Sequence, residues 1–152
     1  MYDLMIIGSG PAGISAALTA KARNLNFIWF GSRALSTKIE KAEKIMNYPG
    51  LPAVTGSEMQ SVFLKQIDDC DITITEAQVN SIYDCGGYFA AGADNEIYEA
   101  KSVIMTVGMT TTREIEGEAR LLGCGVSYCA TCDGALYKNK DIAVICASPK
   151  FE

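Results

Sequence analysis

The sequence predicts an α/β fold: a Rossmann-like, three-layer domain carrying an antiparallel β-meander, followed by the start of a second Rossmann-like domain. Three observations predict it. Apolar runs and helical spacing alternate over the first 31 residues; a glycine-rich turn joins the first run to the first helix; and short β-prone runs with turn residues between them fill residues 72–98. The first part is expected over residues 1–114 and the second over residues 115–152.

Each element has a local reason. Leu4-Met5-Ile6-Ile7 reads as a buried strand, residues 12–22 as an Ala- and Leu-rich helix closed by Asn24 in a left-handed cap, and Phe27-Ile28-Trp29-Phe30 as a second buried strand ending at Gly31. Residues 32–47 are polar and aperiodic and read as a connection into the Tyr48-Pro49-Gly50 turn. Ser57-Glu58-Met59-Gln60 fits a capping box, with Met59, Val62, Phe63 and Ile67 on one helical face. Strands are expected at 72–75, 79–83, 88–91 and 97–98, with turns at Gly86-Gly87 and Asp94-Asn95, then a buried strand at 102–107. A boundary falls near 113–117, and a last strand is expected at 142–145.

Composition removes whole classes of chemistry. The chain of 152 residues carries 13 Lys+Arg against 18 Asp+Glu, a net charge of −5 without a basic stripe, which argues against a nucleic-acid or anionic-membrane partner. It has no histidine and six cysteines. Without imidazole there is no Ser-His or Cys-His nucleophile and no His-ligated zinc, so chemistry must use thiols, carboxylates, Lys, Tyr or a cofactor. No basic leader is visible and no apolar run reaches the ~18 residues of a membrane span, so a cytoplasmic location is expected. In that compartment a close cysteine pair is redox-active or metal-binding rather than a staple.

Gly8-Ser9-Gly10-Pro11-Ala12-Gly13 is a G-x-G-x-x-G placed directly after a strand and opening a helix. Gly8 permits the tight turn, Gly10 lets backbone N–H groups approach a pyrophosphate, and Gly13 lets helix and strand pack closely. The acidic ribose-binding residue expected about 20 residues on is missing, because the second strand ends Trp29-Phe30-Gly31-Ser32. That favours a flavin dinucleotide held through backbone contacts over NAD.

Cys129-Ala130-Thr131-Cys132 puts two thiols within disulfide reach, and Asp133 follows as the natural proton donor and acceptor. A structural or metal-binding pair is the alternative: Cys124, Cys129 and Cys132 fit the plant-type iron–sulfur spacing, with Cys146 as a fourth ligand. Such a cluster would leave the dinucleotide loop without a role, and no metal site is expected. Cys70, Cys85, Cys124 and Cys146 read more simply as small, partly buried apolar residues.

Together, Gly8 to Gly13, Asn47-Tyr48-Pro49-Gly50, Thr106-Val107-Gly108 and Cys129-Ala130-Thr131-Cys132-Asp133-Gly134 resemble the low-molecular-weight thioredoxin reductases, in order along essentially the whole chain. The resemblance implies an FAD domain interrupted by a pyridine-nucleotide domain that carries the dithiol, in a homodimer. It implies that FAD is held by Gly8, Ser9, Gly10, Pro11, Ala12, Gly13, Gly31, Ser32, Asn47, Val79, Thr106 and Gly108. Cys132 would face the flavin, Cys129 would attack the thioredoxin disulfide, and Asp133 would manage protons.

Two departures stand out. Arg33-Ala34-Leu35-Ser36 replaces the Gly-Gly-Gln-Leu-like flavin-side segment of common members. After the strand expected at 142–145 the family places a second glycine-rich loop for NADPH, whereas this chain has Cys146-Ala147-Ser148-Pro149-Lys150. Without glycines the backbone cannot come close to a pyrophosphate, and Pro149 removes an N–H donor. The chain therefore looks most like the ferredoxin-dependent flavin thioredoxin reductases, with NADPH-dependent reduction and a flavin or iron–sulfur electron carrier as alternatives. By the family's architecture it is also expected to be a piece of a longer protein.

Overall fold

The computed structural model describes residues 1–108, 116–121, 124–127 and 134–145. Its frame is a five-stranded sheet in the order β2-β1-β5-β4-β3. Strand β1 (Tyr2–Ile7) is followed by helix α1 (Pro11–Ala22) and β2 (Phe27–Phe30); β2 pairs parallel to β1 from Leu4↔Phe27 to Ile7↔Phe30. Short helix α2 (Thr37–Glu40) and helix α3 (Gly56–Asp69) follow, then β3 (Val79–Asp84), β4 (Phe89–Ala93) and β5 (Glu96–Met105). A four-residue helix, α4 (Glu118–Leu121), and a 3₁₀ turn at Gly134–Tyr137 complete the described elements.

Strand β1 is apolar because it is covered on both faces. Leu4 and Ile6 point to the helix side, where they meet Ile14, Ala17 and Ala20 of α1 and Met59, Phe63 and Ile67 of α3. Met5 and Ile7 point the other way, onto Ile28, Phe30, Ala91, Ala93 and Ala100. The period-two alternation of a strand thus feeds two cores, and the meander closes the second one. Phe30 seals it edge-to-face against Tyr98, with ring centroids 5.0 Å apart.

The helix ends follow cap chemistry. Asn24 adopts φ 54° after α1, its N–H bonding Lys21 O and that of Leu25 bonding Ala20 O, the two-bond closure expected of a left-handed cap. Asp71 closes α3 in the same way, with φ 50° and Ile72 N–H bonding Ile67 O.

Several sequence expectations are corrected. The capping box of α3 lies two residues before the expected one: the Thr55 hydroxyl accepts from Glu58 N–H and the Glu58 carboxylate accepts from Thr55 N–H at 2.8 Å. This leaves Gln60 free for other partners. Val62 is 45% exposed, because Met59, Phe63 and Ile67 recur every fourth residue and leave it beside the buried stripe. The strand expected at 72–75 reduces to a single parallel bridge, Phe30↔Thr75.

The strands expected at 97–98 and 102–107 are one element. Residues 96–100 of β5 pair antiparallel with β4, residues 100–105 pair parallel with β1, and Ala100 pairs with both Phe89 and Tyr2. A strand that changes partner along its length carries two patterns in one element. The turn that starts it is Asp94-Asn95, with φ 46° and 68°, as a two-residue hairpin requires.

Residues 142–145 form no strand: Ile142, Val144 and Ile145 are 67, 77 and 73% exposed, and β-prone residues become a strand only where a ladder is available. Cys85 and Cys124 are exposed rather than packed, Cys85 because it follows β3 at the Gly86-Gly87 turn; Cys70 is half-buried. Among the described residues no helix is long and apolar enough to cross a membrane, and no group of Cys, Asp and Glu is placed to hold a metal ion.

Candidate dinucleotide cleft

The order β2-β1-β5 makes β1 the strand at which the sheet's connections reverse direction, and open α/β sheets form a crevice beyond the carboxyl ends of strands at such a point. A cleft of about 800 Å³ lies there. Ile7 ends β1, Phe30 ends β2 with Gly31 next, and Met105 ends β5 with Thr106 next on its walls, while Ala77, Gln78 and Val79 enter from the start of the meander.

The glycine loop is fixed from behind. Gly8 sits at φ +112°, and a Cβ there would lie 2.4 Å from the Thr106 carbonyl oxygen. A Cβ on Gly13 would lie 2.0 Å from the Gly8 carbonyl oxygen. Gly8 N–H bonds Phe30 O at 2.8 Å; its own carbonyl accepts from the Trp29 indole at 2.9 Å and shares the single proton of the Thr106 hydroxyl, 3.0 Å away, with Ile7 O at 2.9 Å. Gly10 differs: a Cβ there would have nothing within 4 Å. Packing therefore demands glycine at 8 and 13, whereas the bare backbone at 10 adjoins open space on the cleft.

Helix α1 begins at this opening with Pro11 in its first turn, no side-chain cap and no acidic residue. Its first N–H groups, which have no partner inside the helix, and its dipole face the cleft, an arrangement suited to an anionic group.

Ser9 is 7% exposed. Its hydroxyl donates to Leu35 O at 3.1 Å and accepts from Ser32 N–H at 3.0 Å. It occupies the volume a side chain at 31 would need, since a Cβ on Gly31 would lie 2.5 Å from Ser9 Cβ. A side chain at position 31, a carboxylate included, is therefore barred by Ser9.

Of the residues singled out in the sequence, Gly8, Ser9, Gly10, Pro11, Ala12, Gly31, Ser32, Val79, Thr106 and Gly108 line the cleft. Gly13 lies behind the loop, and Asn47 is exposed on the connection before Tyr48 and is not part of the lining. Cys129, Cys132 and Asp133 lie outside the described residues, as does Cys146. Sequence reasoning put Ala34, Leu35 and Ser36 in the flavin-side segment without naming them as site residues and missed Thr37 and Lys38; all five reach the cleft from the segment after β2. The signal was the Ser36 N-cap, whose hydroxyl accepts from Ile39 N–H in a stretch read as a connection.

A βαβ unit with a glycine loop at its switch point, completed by a meander and a returning strand, defines a dinucleotide-type cleft on a Rossmann-like fold. The chain belongs to the pyridine nucleotide-disulphide oxidoreductase family, whose profile matches residues 2–149. Among curated relatives, thioredoxin reductase from Ureaplasma parvum is 35% identical over 146 residues, covering 95% of this chain and 47% of that protein. Thioredoxin reductase from Bacillus subtilis is 31% identical over 146 residues, covering 95% and 46%. The chain thus spans about half the length of the curated relatives it matches. Among solved structures, a ferredoxin-flavin thioredoxin reductase from Clostridium acetobutylicum matches with a TM-score of 0.71 at 49% identity, over 90% of this chain and 48% of that one. A thioredoxin reductase from Streptococcus pyogenes matches with a TM-score of 0.80 at 35% identity, over 90% and 45%.

Proposed function

We propose that this chain binds FAD in the cleft and takes part in reducing thioredoxin-type disulfides, electrons passing from reduced ferredoxin through FAD to the Cys129–Cys132 pair. What supports the flavin is the fit of the loop. Of its three glycines, Gly10 alone owes nothing to packing, and its open backbone stands beside the uncapped start of α1. Gly8, Ser9, Gly10, Pro11, Ala12 and Thr106 would hold the dinucleotide, with Gly31, Ser32, Val79 and Gly108 around it. Bound FAD would supply a group that accepts single electrons and delivers them as a pair to a disulfide.

The remaining steps fall to residues 115–152, the proposed start of the dithiol domain. The Cys129 thiolate attacks the thioredoxin disulfide, forming a mixed disulfide and releasing one thioredoxin thiolate. Cys132 then attacks the Cys129 sulfur, releasing the second thiolate and leaving Cys129–Cys132 oxidised for the next electron pair. Asp133 exchanges protons with the pair. A homodimer in a reducing, cytoplasmic compartment suits this chemistry.

The single observation that carries the choice of donor is the Cys146-Ala147-Ser148-Pro149-Lys150 run, which lacks the glycines a backbone needs to approach a second pyrophosphate. The identity to the clostridial ferredoxin-flavin enzyme points the same way. The second reading is NADPH as donor, favoured by the thioredoxin reductases among the relatives. Anaerobic titration distinguishes the two: reduced ferredoxin should bleach the visible flavin band while NADPH leaves it, and rapid bleaching by NADPH overturns the ferredoxin assignment.

A further inference from the structure

We infer that Ser9 and Gln60 are positioning residues that together hold residues 32–38 as a fixed strap along one wall of the cleft, so that Ser36, Thr37 and Lys38 face the ligand. The inference rests on the proposal that the cleft takes FAD. It starts from an unusual run of captured carbonyls. Three consecutive ones accept from side chains of two other elements: Ala34 O and Ser36 O from the Gln60 amide at 3.1 and 2.7 Å, and Leu35 O from the Ser9 hydroxyl at 3.1 Å.

Between them Leu35 is held at φ 52°, in the left-handed region that residues with a Cβ avoid. Such a conformation persists where its surroundings over-determine it. The strap is also fastened at its entry, where Arg33 N–H bonds Glu76 at 2.8 Å and Ser9 accepts from Ser32 N–H.

The arrangement ties two walls of the cleft together. Ser9 belongs to the dinucleotide loop itself, so the atom that anchors the strap moves with the backbone that would meet the pyrophosphate. Gln60 belongs to α3, whose buried stripe is packed on the sheet. A ligand seated on the loop therefore meets a strap already in place, and the cost of ordering that wall is met in folding rather than in binding. This also accounts for a cleft wall built without the Gly-Gly-Gln-Leu-like segment: side-chain capture takes over the task of setting the backbone.

The test uses Ser9→Ala and Gln60→Ala in the full chain, singly and together. In the ligand-free protein, backbone amide exchange across 32–38 should accelerate about tenfold to hundredfold in each single variant and further in the pair, as loss of the two hydrogen bonds that each side chain makes implies. With FAD at saturation, emission from the bound flavin should rise and affinity should fall about tenfold. Gln60→Glu, equal in size but presenting acceptors to two carbonyls, should resemble Gln60→Ala and not the parent.

Unchanged exchange at 32–38 overturns the strap. Faster exchange with parent-like FAD affinity and emission overturns its role in the cleft. Failure of the parent chain to take up FAD overturns the flavin reading, while faster exchange in the variants would still support the clamp. Gln60 is only half-buried, so its variants keep the question open to measurement if Ser9→Ala proves unstable.

Discussion

The indole nitrogen of Trp29, a side chain only 1% exposed, donates a 2.9 Å hydrogen bond to the carbonyl oxygen of Gly8. The bond joins β2 to the dinucleotide loop and shares its acceptor with the Thr106 hydroxyl from the end of β5. One carbonyl thus gathers all three strands whose ends form the cleft, and the loop is tied to each of them by the protein's own hydrogen bonds.

Trp29 is the chain's single tryptophan, so its emission reports on this junction alone. Binding of FAD should quench it by energy transfer, saturating at one flavin per chain; unchanged emission at saturating FAD would exclude this cleft. Trp29→Phe should destabilise the chain by about 1–3 kcal/mol, combining a lost hydrogen bond with an incompletely filled site. Chemical denaturation read by circular dichroism measures it.

The glycines of the loop should separate cleanly on substitution. Gly13→Ala places a methyl 2.0 Å from the Gly8 carbonyl oxygen and should lower stability by several kcal/mol, or prevent folding. Gly10→Ala meets no protein atom within 4 Å and has permitted dihedrals, φ −72° and ψ 179°. Its melting midpoint should correspond to a change within about 1 kcal/mol, since a modest loss at the helix N-cap offsets a stiffer unfolded chain. FAD affinity should nevertheless fall at least ~10-fold, worth about 1.4 kcal/mol. Equal loss of stability in both variants would mean that Gly10 serves packing as well.

Much of this was readable from the chain alone, because the signals were local. Strand β1, helix α1 and its Asn24 cap, strand β2 and the glycine loop each follow from periodicity and turn chemistry within a few residues. What escaped was set at a distance. Strand β5 looked like two elements because its first half is matched to β4 and its second to β1. Gln60 looked like a cap, but its partners are Ala34 and Ser36, 26 and 24 residues earlier. Leu35 and Lys38 line the cleft in a segment whose carbonyls bond the side chains of Ser9 and Gln60, and no spacing rule encodes those contacts. Residues 142–145 have the composition of a strand, but composition supplies no neighbour to pair with.

Acid should loosen the sheet at a defined place. The Asp3 carboxylate accepts from Lys101 at 2.7 Å and from Asn26 N–H at 3.2 Å, and these bonds, the Lys101 one foremost, hold its pKa below the ordinary 3.8. Because the folded-state value is depressed, its contribution is fully present above the unfolded value and is lost as pH falls through the folded one. The stability gap between the parent and Asp3→Asn should therefore be constant near neutrality and close below pH ~4. Urea midpoints taken from pH 7 to pH 3 check this; a gap that widens in acid would reverse the sign.

The proposed order of thiol exchange makes the two cysteines unequal. If Cys129 attacks thioredoxin and Cys132 resolves the mixed disulfide, Cys132→Ser leaves an attacker without a resolver. Incubated with oxidised thioredoxin in its reduced state, that variant should accumulate a covalent adduct through Cys129, visible by mass and dissolved by a small thiol. Cys129→Ser should form none, because Cys132 is proposed to face the flavin. The acid-base role adds a second mark: Asp133→Asn should retain the adduct in the Cys132→Ser background and slow turnover of the intact pair by about 10²–10⁴-fold, the usual range for a lost general acid–base group. An adduct trapped by Cys129→Ser instead would exchange the two roles, and adducts from both variants would mean that either thiol can attack.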